Sequence, residues 1–126
     1  MKERRHLDRS ALDRLRSYSG DWTVLLDEGG RIVYELGSFD SIFGGQAGTP
    51  SLGRGILAYV HPDDIPIAVD MMEESLSRLR SEVVFEIRAG LRGGPWRSVD
   101  VRAVNCFDDP TLNGVILRVM PTGGPR

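Results

Sequence analysis

The sequence predicts an α+β domain: an antiparallel sheet with helices collected on one of its faces. Two observations carry that expectation. An apolar repeat with helical period runs from Ile65 to Leu79, and the period then changes to two from Val83 onwards. Short turn-forming connections separate the later apolar runs, which makes their pairing antiparallel.

From the N-terminus, Arg4 to Tyr18 is expected to form an amphipathic helix. Leu7, Ala11, Leu12, Leu15 and Tyr18 recur at steps of three and four, charged residues fill the remaining positions, and Gly20 supplies the stop. A helix of about 15 residues is marginal alone in water. Its stripe therefore has to cover the domain's own sheet or pair with a second copy, and the two are compatible.

Trp22 to Leu26 and Arg31 to Tyr34 are β-rich and flank the turn Asp27-Glu-Gly-Gly30, so they are expected to pair as a hairpin. Between Gly37 and Leu57 only short pieces are possible. Phe39, Ile42 and Phe43 would line one helical turn, and Gly44-Gly45, Gly48, Pro50, Gly53 and Gly55 interrupt anything longer. Ile56 to Val60 is another short apolar piece. His61-Pro-Asp-Asp64 then opens the clearest helix, with Pro66 in its first turn and Ile65, Ala68, Val69, Met72, Leu76 and Leu79 on its apolar stripe. Arg78 and Arg80 are expected to complement the negative end of the helix dipole.

Three strands follow. Val83, Phe85, Ile87, Ala89 and Leu91 alternate with polar or small residues, as do Val99, Val101 and Ala103, and Val115 to Val119 completes the set. Arg92-Gly-Gly-Pro95 and the run Phe107 to Gly114 are turn-rich connections. The division expected is a flanking helix over 1–20, one folded unit over 21–120 and a tail over 121–126.

Composition excludes several function classes. At 126 residues the chain holds one core, and its 40% apolar and 27% charged content is ordinary globular usage. A formal charge of −2 gives no field that would draw it to nucleic acid or an anionic membrane. No apolar run approaches the roughly 18–20 residues a membrane span needs. The charged start is no secretory signal, and the single Cys106 suits a reducing compartment, so the cytoplasm is expected.

In this order the pieces resemble a PAS domain over about residues 21–119. Asp27-Glu-Gly-Gly-Arg-Ile-Val33 is similar to that family's opening hairpin, and Phe39-Asp-Ser-Ile-Phe-Gly44 to the short helix after it. Gly53-Arg54 and Tyr59-Val-His-Pro-Asp-Asp64 resemble its step into the long helix. Phe85-Glu-Ile-Arg88 with Gly94-Pro-Trp-Arg-Ser-Val99 resembles its central strand pair, and Asn105 to Leu117 its closing hairpin. The resemblance implies a five-stranded antiparallel sheet of order 2-1-5-4-3, helices enclosing a pocket on one face, and a sensory or dimerising input role that relays a signal to an output domain. The family's usual Asp-Ile-Thr ending is replaced here by Met120-Pro-Thr-Gly-Gly-Pro125.

Candidate chemistry is sparse. The family's flavin-binding branch places its cysteine before the long helix, where Gly53 to Leu57 has none; Cys106 lies beyond the fourth strand. Haem-binding relatives carry a histidine within that helix, and this one has none. His61 is expected to bond the local backbone, and Asp63-Asp64 to serve turn and helix-start chemistry. Two histidines and one cysteine make no metal cluster without carboxylates, no phosphate-binding loop exists, and no Ser, His and acid set stands out. A non-catalytic domain without cofactor or metal is expected. Tyr59, Met72, Leu76, Phe85, Ile87, Val101, Ala103 and Leu117 are the expected lining of its interior, as a filled core or around a small apolar ligand. Leu7, Ala11, Leu12, Leu15 and Tyr18 are the expected contacts of a homodimer. The alternative is a cone-shaped fold similar to nuclear transport factor 2, with a small-molecule enzyme or binder inside. The acids here lie off the apolar faces, and three consecutive strands after one long helix favour the PAS arrangement.

Overall fold

Asp8 starts the first helix, its carboxylate accepting the Ala11 amide at 2.8 Å. The computed structural model describes residues 6–17, 22–37, 52–91 and 93–122. Tyr18, the turn expected at Phe39, Ile42 and Phe43, and the last tail residues lie outside them. Helix α1 spans Arg9–Arg16, with Arg14 and Arg16 in its last turn where the dipole favours cations. Ala11 and Leu15 are fully buried, and Leu7 and Leu12 are half-buried beside them.

Strands β1 (Trp22–Leu26) and β2 (Ile32–Gly37) pair as the expected hairpin. The turn is tied by Asp27, whose Oδ1 accepts the amides of Gly29 and Arg31 at 2.9 and 3.0 Å. Gly30 takes φ +77°, a conformation that a side chain would strain. Two 3₁₀ turns, Ile56–Tyr59 and Pro62–Asp64, lead into helix α2 (Ile65–Leu76). Strands β3 (Glu82–Gly90), β4 (Trp96–Cys106) and β5 (Gly114–Pro121) complete a five-stranded sheet of order β2-β1-β5-β4-β3. All four neighbouring pairs are antiparallel. This is the order the PAS resemblance implies.

The period of two places Val24, Leu26, Val99, Val101, Leu117 and Val119 on one face, beneath Tyr59, Val60 and Ala68. Leu25, Val104, Cys106 and Ile116 face the other way, against α1. Strand β1 lies between two neighbours, is covered on both faces and is buried throughout. At Gly114 a β-carbon would run into the Leu26 carbonyl, so only glycine lets β5 begin this close to β1.

Helix α2 ends earlier than its apolar repeat. Asn105 Nδ2 donates to the carbonyls of Ser75 and Leu76, both at 3.2 Å, which occupies the helix end. Arg80 then turns the chain with φ +65° and its amide donates to the Asn105 carbonyl at 2.9 Å. Leu79 is consequently off the helix and 56% exposed. Arg80 does not serve the helix dipole; its guanidinium pairs with Asp108 at 2.8 Å.

Candidate functional site

The inner face of the sheet, the first 3₁₀ turn and α2 line a small, partly open cavity of about 30 Å³. Its walls are apolar side chains. Trp22 and Tyr59 meet edge-on at its base, ring centroids 5.2 Å apart at 75°. Met72 from α2 and Phe85 from β3 are half-buried against the same cluster.

Of the residues expected in the interior, the fold brings together Tyr59, Met72, Phe85, Ile87, Val101 and Leu117 on the cavity wall. Two stand elsewhere. Ala103 is fully buried but lies off the wall, and Leu76 is 50% exposed because it sits in the last turn of α2, beyond the sheet-facing part. Sequence reasoning missed Trp22, Leu57 and Ala68 as lining residues. Trp22 was detectable, since an aromatic at the start of a central strand has to point at one face. Leu57 was not, because a 3₁₀ turn has no long apolar period to follow.

A charged clamp ties the start of α2 to β3. Asp64 accepts three hydrogen bonds from Arg88: the backbone amide at 2.8 Å, Nε at 3.0 Å and an Nη at 2.8 Å. Asp64 therefore ties the second 3₁₀ turn to β3, and leaves α2 without a side-chain cap, where a helix-start role was expected. The Arg88 side chain, then its amide, hold the Asp64 carboxyl down from 3.8 to about 2 against the opposing effect of burial. His61 bonds the backbone as expected, its Nδ1 accepting the Asp63 amide at 3.1 Å, and its ring lies 4.8 Å from that of Trp96.

A second charged node joins α1 to the far end of the sheet. Asp109 is buried in the β4–β5 loop, where its Oδ1 accepts the amides of Thr111 and Leu112 and its Oδ2 meets Arg14 Nε at 2.7 Å. Burial pushes its carboxyl up, but those amides and Arg14 outweigh that and hold it below the ordinary range. Burial pushes the neighbouring Cys106 thiol up, so it is held as the neutral thiol and not as a nucleophilic thiolate. Among the described residues no group of His, Cys, Asp and Glu is placed to hold a metal, and no helix is long and apolar enough to cross a membrane.

Of the residues expected at a dimer contact, Ala11 and Leu15 pack on the chain's own sheet, Leu7 and Leu12 flank them, and Tyr18 lies outside the described residues.

No protein-family model and no curated protein matches the sequence. Solved structures do match the fold. The PAS-B domain of Drosophila melanogaster Cycle, wild type with bound ethylene glycol, superposes with a TM-score of 0.62 at 12% identity, covering 79% of this chain and 98% of that one. A tryptophan-to-alanine variant of the same domain with bound glycerol gives the same values: TM-score 0.62, 12% identity, and 79% and 98% coverage. With its strand order, its helix-covered inner face and these neighbours, the chain is a PAS-like domain in fold.

Proposed function

We propose that the chain is a non-catalytic, cytoplasmic sensory and dimerisation input domain of a bacterial-type signalling protein. In this reading it relays a ligand or signal state to an output domain of the same or a partner protein. One observation carries the proposal: the same three strands bear the cavity wall on one face and the seat of α1 on the other. Leu117 and Val101 face the cavity, while Ile116 and Val104, adjacent on β5 and β4, hold α1. A small apolar molecule that spreads the inner face strains the seat of α1, because close-packed interiors pass displacement on instead of absorbing it. The neighbouring Cycle domains, with bound ethylene glycol and glycerol, support small molecules as the class of occupant.

The homodimer proposed here uses α1. Because Ala11 and Leu15 are spent on the chain's own sheet, the partner would meet Leu7, Leu12 and, beyond the described residues, Tyr18. Removing α1 would uncover an apolar face and itself promote association, so substitution is the cleaner experiment. Sedimentation of the whole chain at tens of micromolar should show dimers. Leu7→Glu with Leu12→Glu should shift them to monomers while circular dichroism keeps the sheet signal. A monomeric wild type, or a dimer indifferent to both changes, would overturn the assignment.

A further inference from the structure

Ile56, Leu57 and Met72 separate the inner cavity from a surface groove of about 260 Å³ between α2 and the β1–β2 turn, lining both. Three of the large apolar side chains that the fold leaves exposed gather in this groove: Leu57 at 38%, Val69 at 36% and Leu76 at 50%. Apolar groups gathered in one groove offer a small ligand a surface to bury. Among the described residues, the ionisable groups that line the groove are all acidic: Asp27 and Glu28 from the turn, and Glu73 from α2. Asp27 already holds two amides, whereas Glu28 and Glu73 are exposed. The guanidinium groups next to the groove are turned elsewhere, Arg31 to the Gly53 carbonyl at 3.4 Å and Arg54 over the Tyr59 ring at 6.0 Å.

We propose that this groove binds a small organic cation with an apolar arm, of the primary-amine class. Its ammonium would sit between Glu28 and Glu73, and its arm would run over Val69 and Leu57 towards Met72. The arm is short and unbranched, because the space beyond Met72 holds only about 30 Å³. An anion of the same shape meets two like charges and, among the described lining residues, no compensating base, so the groove discriminates by sign as well as by shape. The inference rests on the ligand-sensing reading above and gives that ligand its chemistry and its point of entry.

Three probes of equal length test it: pentylamine, pentan-1-ol and pentanoate, titrated into the ¹⁵N-labelled whole chain at neutral pH. The amine should bind about tenfold more tightly than the alcohol, the gain expected from two exposed carboxylates, and pentanoate more weakly than either. Its chemical-shift changes should centre on Leu57, Val69, Met72 and Leu76. In the Glu28→Gln/Glu73→Gln variant, which alters only exposed side chains, the amine's advantage over the alcohol should fall below about twofold. An alcohol that binds as tightly as the amine overturns the cation assignment and leaves the apolar cavity as a ligand site. No shift with any of the three overturns both, and shifts centred away from α2 overturn the location.

Discussion

Among the described residues the inner face of the sheet meets mainly apolar partners, with Asn105 holding the end of α2, whereas the outer face is divided. Beneath α2 and the 3₁₀ turns, Trp22, Val24, Val101, Leu117 and Val119 form one continuous cluster around the cavity. Outside, α1 covers Leu25, Ile116, Val104 and Cys106, but the strip towards β3 is left to charges. There Glu82 bridges Arg102 and Arg118, each at 3.6 Å, and Val84 is 55% exposed beside them. One face thus owes its cohesion to burial and the other partly to a ladder of solvated ions, which is worth far less per contact. The difference teaches where each face can yield: the inner face around its cavity, the outer face at the edge of α1.

Substitutions of decreasing effect test that contrast. Trp22→Ala removes the base of the cavity and should cost about 3–5 kcal/mol in urea unfolding. A cost under about 1 kcal/mol would mean that the inner cluster does not rest on this ring. Leu15→Ala should cost about 3 kcal/mol, since Leu15 is fully buried by its own sheet. An unchanged midpoint would show that α1 is seated on something other than this face.

Asp64→Asn should cost about 2 kcal/mol near neutral pH by weakening the clamp between the start of α2 and β3. The sign with pH is fixed by the lowered carboxyl. The folded state favours the charged form, so that stability is complete above the ordinary value of 3.8 and is lost as pH falls through about 2. The gap between wild type and variant should therefore close between about pH 5 and 2. A gap that persists in acid would place the effect in packing instead of charge. Glu82→Gln should cost less than about 1 kcal/mol, and about 0.5 M salt should remove most of that. A larger loss that salt does not touch would make the outer ladder a structural core.

Several parts of this molecule were legible in the residues alone. The alternation through Val83–Ala89 and Val99–Ala103 identified the inner face, because the side-chain period of a strand is fixed by its geometry. The ordered run of short motifs supplied the strand order. Part of the cavity wall followed from periodicity: Phe85, Ile87 and Val101 from that alternation, and Met72 from the helical repeat. The alternation is a local property, set by residues a few positions apart, whereas the strand order came only from what the family resemblance implies.

What only the tertiary structure decided is who meets whom across long separations. The leucine stripe of α1 suits its own sheet or a second copy equally well; in the fold Ala11 and Leu15 meet Leu25, Val104 and Ile116, while Arg14 reaches Asp109 in a distant loop. Asp64 has the composition of a helix cap, yet 24 positions on Arg88 offered three donors, two of them on a guanidinium, and these outweigh a single amide cap. The apolar repeat of α2 runs on to Leu79, but Asn105 claims the carbonyls at Leu76 and stops the helix, leaving Leu76 and Leu79 to the surface. Periodicity states that a face must be covered; the competition among distant partners for the same groups states by what.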